Sequence, residues 1–182
     1  MNKNPRGQLP DFKPVLLKTL DKDPETGLIV ESISGEKIVT FRTKTFLQLM
    51  DRLMGLLGGT IGATVINQMG IDVGRSTFGY MKDEVKSDND LVSVMDVVLA
   101  ERGWGRCRAI KKVEMRGLTY SIRTEGNPIS GTHGKNEPMC HFIRGIYTGF
   151  LEAYLDKKAK HSEQVACAAL GASGCTFEIA FE

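Results

Sequence analysis

The sequence lacks several features that define common classes of protein. Its 182 residues carry 24 lysines and arginines against 22 aspartates and glutamates, so the net charge of +2 gives no general attraction to nucleic acid or anionic membranes. No apolar run reaches the roughly 18 residues of a transmembrane helix. The basic residues Lys3 and Arg6 precede no apolar segment, so we expect neither a secretion signal nor an anchor. These absences predict a cytoplasmic protein, in which disulfides are uncommon.

Motifs for nucleotides and redox cofactors are also missing. The glycine-rich stretch 55–62 lacks the Lys and Ser/Thr of a phosphate-binding loop and follows a predicted helix rather than a strand. The sequence shows no dinucleotide fingerprint and no iron–sulfur cysteine run. Cys140 and His141 are adjacent on a predicted helix, where side chains point about 100° apart, so a Cys–His catalytic pair is not expected. We predict no catalytic residues, which favours a binding function.

What the sequence does contain is a group of cysteines in its C-terminal third. A predicted helix begins near Cys140, which places that thiol at the positive end of the helix dipole. Cys167 and Cys175 flank the turn signal of residues 171–174, between an apolar run and an alternating one, and this pattern predicts a hairpin that brings both thiols together. Three interpretations stay open: a metal site completed by Glu163, a reduced buried cluster, or a Cys167–Cys175 disulfide.

The periodicity of apolar residues predicts an α+β fold of about five helices packed on an antiparallel sheet. We expect the helices at 45–57, 60–69, 72–86, 87–102 and from Cys140 onward. We expect strands at 104–115, 118–124, 165–170 and 175–181. Gly145 and Gly149 on the last helix indicate close packing against the sheet. Residues 28–30 and 37–41 predict an N-terminal hairpin around Ser34 and Gly35, so we divide the chain into an extension, 1–44, and a domain, 45–182.

The cysteine region also resembles a known family. The stretch C-H-F-I-R-G-I-Y-T-G-F-L-E-A-Y-L from Cys140, followed by S-E-Q-V-A-C-A-A-L-G-A-S-G-C-T-F-E-I, is similar to the end of a 4-vinyl reductase domain, and G-I-D-V-G-R-S-T-F-G-Y and G-W-G-R fit the same pattern. The resemblance covers roughly residues 45–182. It implies the ligand-binding fold shared with NO-signalling proteins and Golgi tethering subunits, with an apolar pocket.

The resemblance further implies, for several members, a zinc ion held by three cysteines and a glutamate. Here the cysteines correspond to Cys140, Cys167 and Cys175, but the position three residues before the middle cysteine is Gln164, and Glu163 lies one step further back. Either a one-residue bulge brings Glu163 round, or His161 or a water completes the shell, or the site is degenerate. With Glu163 as fourth ligand the shell is filled by protein, which is typical of structural zinc.

The leading hypothesis is therefore a stand-alone domain that senses or carries a hydrophobic, hydrocarbon-type molecule and contains structural zinc. The eight methionines and eight phenylalanines suit an adaptable apolar cavity, and Trp104 is a candidate ligand contact. The excess of apolar residues in the first helix predicts a homodimer, with Leu49 and Leu53 or Leu56 at the seam. A sensor would pass its signal to a separate effector protein. The alternatives are a tetrapyrrole vinyl-reductase-type enzyme or accessory, and a tethering-like assembly subunit.

Overall fold

A computed structural model shows the fold of the chain. It describes residues 20–22, 24–26, 29–31, 35, 37–39, 42–113, 117–128 and 140–182. The chain divides into two compact units, Met1–Val39 and Thr40–Glu182. The predicted α+β class is confirmed.

The N-terminal unit contains a small antiparallel sheet of three described strands, β1 (Leu20–Lys22), β2 (Ile29–Glu31) and β3 (Lys37–Ile38), in the order β1-β2-β3. The predicted hairpin is confirmed, since Ile29 of β2 pairs with Ile38 of β3. Gly35 between them has a φ of +69°, a conformation that glycine adopts without strain. Strand β1 was not predicted. Of the predicted strand residues, Leu28, Thr40 and Phe41 lie outside the described part of the chain.

The described part of the larger unit contains four α-helices: α1 (Thr43–Leu57), α2 (Gly59–Met81), α3 (Asp88–Glu101) and α4 (His141–Leu155). The prediction of two helices separated at Gly70 was wrong, because α2 runs through that residue without a break. An isolated glycine weakens a helix by only about 1 kcal/mol, and packing easily offsets that amount. The predicted start of α3 is confirmed, since Ser87 caps it by accepting a hydrogen bond from the Asp90 amide at 3.3 Å.

Glycines on α2 and α4 let these two helices approach backbone to backbone. A Cβ at Gly74 would lie 2.8 Å from the amide nitrogen of Phe150, and one at Gly145 would lie 2.9 Å from the Cα of Gly70. A Cβ at Gly149 would overlap with the carbonyl of Ile71. Gly145 and Gly149 therefore serve close packing, as predicted, but their partner is α2 rather than the sheet.

Strands β4 (Arg106–Val113), β5 (Leu118–Glu125), β6 (Ala159–Ala166) and β7 (Cys175–Phe181) form an antiparallel sheet in the order β4-β5-β7-β6. The predicted strand at 165–170 was wrong in its bounds, because β6 ends at Ala166 and residues 168–170 form a 3-10 turn. Alternate residues of β5 and β7 are buried on one face, here called the inner face. Helix α4 packs there, with the rings of Tyr147 and Phe177 5.5 Å apart.

The C-terminal end of α4 is held by polar contacts. Glu152, only 8% exposed, forms an ion pair with Arg75 of α2 and accepts a hydrogen bond from the Ala159 amide at 2.9 Å. The hydroxyl of Tyr154 donates to Asp88 at 3.0 Å, which ties α4 to the start of α3. No helix within the described ranges is both long enough and apolar enough to cross a membrane.

Candidate metal centre

Three cysteines meet where α4 begins and where β6 and β7 are joined. Cys140 directly precedes α4, Cys167 follows β6, and Cys175 opens β7. All three are buried, with exposures of 1%, 3% and 1%. The predicted convergence of helix start and hairpin thus occurs in the structure, and it places three thiols together in the protein interior. We call these residues the cysteine cluster.

The spacing of the sulfurs suits a metal ion. The three Sγ atoms all lie within 4.8 Å of one another, and those of Cys140 and Cys175 are 3.8 Å apart. Two sulfurs bound to one tetrahedral zinc at about 2.3 Å also lie about 3.8 Å apart. All four cysteines of the chain are free thiols in this structure, so no Cys167–Cys175 disulfide forms. The cluster can therefore hold a metal ion without a large rearrangement.

The electrostatics of the cluster favour a thiolate at Cys175. A hydrogen bond from the Cys140 thiol lowers the pKa of Cys175 to about 6, assisted by the Ala168 amide, while burial opposes the shift. The same hydrogen bond with Cys175 raises the pKa of Cys140, and burial adds to that increase. The pair thus shares one proton near neutral pH, a state already half-way to the thiolates that a metal requires.

Polar groups around the sulfurs support the same state. The Asn127 side-chain amide donates to the Cys140 sulfur at 3.4 Å, and the Ala168 backbone amide points at the Cys175 sulfur at 3.5 Å. Thr124 is the direct cross-strand neighbour of Cys175 and is 1% exposed, and its hydroxyl has no hydrogen-bond partner. A buried hydroxyl without a partner is unfavourable, and a thiolate on the neighbouring strand would satisfy it.

Asn127 and Thr124 were not identified from the sequence. Thr124 could have been placed on the inner face by the alternation of β5, in register with Cys175. Asn127 follows a turn at Gly126, and its contact with Cys140 spans 13 residues with no periodic signal.

The predicted fourth ligand, Glu163, is not part of the cluster. Its side chain is 51% exposed, and its carboxylate lies 3.4 Å from the imidazole of His161, which is also exposed. Within the described residues, the Asp, Glu, His and Cys side chains that come together as metal ligands here are the three cysteines. The assignments of Glu163 and His161 to the shell are therefore corrected.

The reason lies in the pleat of β6, because successive strand residues face opposite sides. The Ser162 hydroxyl hydrogen-bonds Thr148 of α4 at 2.8 Å, so Ser162 faces inward and Glu163 faces outward. The register shift in β6 falls between Gln164 and Ala166, after Glu163, and so does not turn this carboxylate round.

Gln164 occupies the inward position instead. Its carboxamide oxygen accepts a hydrogen bond from the Cys140 backbone amide at 3.4 Å, and its nitrogen donates to the Ala166 carbonyl at 3.2 Å. The carboxamide also acts on both reactive thiols, where it lowers the pKa of Cys140 and Cys175 against the larger effects of the thiol pair. The position next to the cluster is therefore filled by a neutral amide.

The fourth cysteine, Cys107 on β4, is a separate thiol. It pairs across the sheet with Thr124 and lies outside the cluster. Burial, assisted by the negative charge of Asp96, raises the pKa of Cys107 to about 12. Cys107 is thus a neutral core residue, and it provides an internal control for experiments on the cluster.

Trp104, the predicted ligand contact, lies in an aromatic group near the same end of α4. Its ring is 5.1 Å from that of Phe46 on α1 and 5.2 Å from that of Phe142 on α4. The three rings contact one another in pairs, since Phe46 and Phe142 are also 5.1 Å apart. The position of Trp104 is defined, whereas a contact with ligand stays a prediction.

With this geometry established, the chain was compared with known proteins. Residues 121–181, which include most of β5, all of α4, β6 and β7, and the cysteine cluster, match the family model of the 4-vinyl reductase domain. The predicted resemblance to that family is confirmed. No curated protein matches the chain.

Solved structures share the fold. The phenol-responsive sensory domain of the transcription activator PoxR, solved with phenol, has a TM-score of 0.77 at 16% identity, covering 91% of this chain and 86% of that one. Subunit 3 of a trafficking protein particle complex from Naegleria fowleri, covalently bound to palmitic acid, scores 0.58 at 17% identity, with 77% and 92% covered. A vinyl-4-reductase family protein from Methanocaldococcus jannaschii scores 0.52 at 19% identity, with 83% and 87% covered.

Proposed function

We propose that this chain is a small-molecule-binding sensory domain whose cysteine cluster holds a structural zinc ion. The observation that carries the proposal is the family match over 121–181, together with a fold likeness to the phenol-responsive PoxR domain that extends over 91% of the chain. The ligand we propose is apolar, because apolar and aromatic side chains dominate the described core. The signal would pass to a separate effector protein, and the predicted cytoplasmic location stays part of the proposal.

The role proposed for zinc is mechanical. Bound zinc would supply no chemistry beyond joining Cys140 at the start of α4 to Cys167 and Cys175 in the sheet. Metal binding to such a set of thiolates contributes directly to the free energy of folding. This role is supported by the burial of all three thiols and by the hydrogen bonds directed at their sulfurs.

A thermal-shift screen tests the binding of ligand. Phenols, fatty acids, isoprenoids and porphyrin precursors are each added to the protein, and we expect at least one to raise the melting temperature. A ligand at a hundred times its Kd stabilises the folded state by about 2.7 kcal/mol. Trp104→Ala should diminish the shift if Trp104 contacts the ligand.

Phe78→Ala is the matched control for that variant. Phe78 also belongs to an aromatic group, 5.3 Å from Phe150 and 6.1 Å from Tyr154, toward the opposite end of α4. Its loss should lower stability but leave the ligand shift intact. A screen in which no compound moves the melting temperature would remove the ligand proposal.

We also propose that the domain forms a homodimer through α1 and α2. Leu49 and Leu56 are 50% and 82% exposed, and Ile61 at the start of α2 is 62% exposed. Large apolar side chains exposed together on neighbouring helices are typical of interfaces. Light scattering at micromolar concentration should give twice the chain mass of 20.1 kDa, and Leu56→Lys should reduce it. A mass near 20.1 kDa for the wild type would contradict the dimer.

The same exposed helices favour one second function, that of a subunit in a larger assembly. The likeness to a trafficking particle subunit is consistent with this alternative at the level of fold. A stable heteromer that contains no small molecule would favour the assembly function, whereas a co-purified ligand would favour the sensor. Turnover with an added reductant would instead indicate the vinyl-reductase alternative.

A further inference from the structure

The donor set of the cysteine cluster is unusual in charge. Three sulfur atoms lie within 4.8 Å of one another, and within the described residues no carboxylate or imidazole joins them. The neighbouring inward position belongs to Gln164, whose side chain carries no charge. Both ends of its carboxamide are engaged by backbone groups, at Cys140 and Ala166. A metal ion here would meet three soft ligands and a neutral oxygen that is already hydrogen-bonded.

This donor set does not suit all metal ions equally. Thiolates favour soft, thiophilic ions, whereas a carboxylate oxygen is a hard ligand that completes a tetrahedral shell around zinc. A soft ion draws most of its binding energy from sulfur and therefore loses little when the carboxylate is replaced by an amide. Zinc, which is of borderline softness, loses more.

We propose that Gln164 makes the cluster a three-thiolate site, which favours thiophilic ions such as Cd²⁺ over Zn²⁺ relative to the same site with a carboxylate at position 164. This inference rests on the metal part of the proposed function and assigns selectivity to a residue of β6. Gln164 acts here as a neutral group that positions the first turn of α4 through the Cys140 amide.

Competition between the two ions tests the inference. Metal-free, fully reduced protein is titrated with Cd²⁺ in the presence of increasing Zn²⁺, and the thiolate-to-cadmium charge-transfer absorbance reports the ratio of the two Kd values. Gln164→Glu should shift this ratio toward zinc by about 10–100-fold, the range known for changes beside metal ligands. Gln164→Leu removes the oxygen without adding charge and should keep the wild-type preference.

Two variants control for effects outside the site. Glu163→Gln changes an exposed carboxylate on the outer face, and Cys107→Ser removes the thiol outside the cluster. Both should leave the ratio unchanged. The inference is overturned if Gln164→Glu leaves the ratio unchanged while both ions bind, a result that would leave the proposed function intact. It is also overturned if Gln164→Leu abolishes Cd²⁺ binding, since the amide oxygen would then be an essential ligand.

A third result separates this inference from the proposal beneath it. If the wild type binds neither ion with its thiols reduced, the metal part of the proposed function fails and the inference fails with it. The thermal-shift screen for organic ligands is independent of that outcome.

Discussion

The two ends of α4 are fastened by different chemistry. At the C-terminal end, Glu152 has three partners within the protein: the Arg75 guanidinium, the Ala159 amide at 2.9 Å and the Lys158 ammonium at 3.7 Å. At the N-terminal end, Cys140 faces two other thiols and an amide, with no formal positive charge among them. The first end is complete as a set of protein groups, whereas the second gains most from an added cation.

The difference indicates where external factors can act on the fold. An ion pair made by the chain alone has the same strength whatever ions are present, apart from screening by salt. A cluster of thiols has a strength that depends on the metal supplied and on the redox state. We therefore expect the stability of the α4 C-terminus to be constant and that of its N-terminus to respond to metal.

The largest expected effect is at the constant end. Glu152→Ala leaves Arg75 without its buried partner and the Ala159 amide without an acceptor, and it should destabilise the fold by about 3–5 kcal/mol. The loss, measured by urea unfolding, should be equal with and without added zinc. Lys158→Ala is the control, because Lys158 is 76% exposed and its loss should change stability by less than about 1 kcal/mol. A zinc-dependent loss in Glu152→Ala would end the contrast between the two ends.

The next effect is at the responsive end. At zinc concentrations a hundred times the Kd, the metal should stabilise the wild type by about 2.7 kcal/mol, and Cys167→Ser should lose most of that gain. Cys107→Ser should keep it, since Cys107 lies outside the cluster. The measurement is the melting temperature with zinc and with chelator. If Cys107→Ser and Cys167→Ser respond alike, the cluster is not the binding site.

Between the two ends, α4 rests on the glycine contact with α2. Gly149→Ala should destabilise the fold by about 1–3 kcal/mol or more, because the added methyl would overlap with the Ile71 carbonyl. Gly79→Ala, on α2 with no atom within 4 Å of the added Cβ, should be neutral or slightly stabilising. Neither change should alter the response to zinc. Equal stability of the two variants by urea unfolding would contradict the backbone contact.

The smallest effect is a titration of the metal-free cluster. Because the pKa of Cys175 is lowered to about 6 from 9.0, its contribution to stability is present above the unfolded pKa and is lost as pH falls through about 6. The raised pKa of Cys140 acts in the opposite sense, at pH above its unfolded value. The ultraviolet absorbance of one thiolate should disappear as pH falls through about 6 in the wild type and in Cys107→Ser.

Cys175→Ser should lack that transition in its wild-type form. A wild-type protein with no thiolate absorbance at pH 7 would show that the two thiols do not share a proton as described.

Much of the fold was predictable because it follows local patterns. The start of α4 after Cys140, the alternation of β7 and the cap at Ser87 are all encoded within a few residues. The continuity of α2 through Gly70 was not predictable, since it depends on the approach of α4, which is distant in sequence. Glycine signals both a break and a close contact, and only the tertiary structure distinguishes them.

The site was predictable for the same reason and to the same extent. The three cysteines could be brought together by a helix start and a turn, whereas the choice between Glu163 and Gln164 depended on which residue of β6 faces inward. That choice changes with a shift of one residue in strand register. The hydrogen bond between Ser162 and Thr148, which sets the register against α4, has no signature in the sequence.

X-ray absorption at the zinc edge tests the central claim most directly. The protein is purified without chelator, loaded with one equivalent of zinc, and the neighbours of the ion are counted. The account predicts three sulfur neighbours at about 2.3 Å, falling to two in Cys167→Ser and staying at three in Cys107→Ser. A shell with no sulfur, or with one only, would contradict the claim that the cysteine cluster fastens α4 to the sheet through a metal ion.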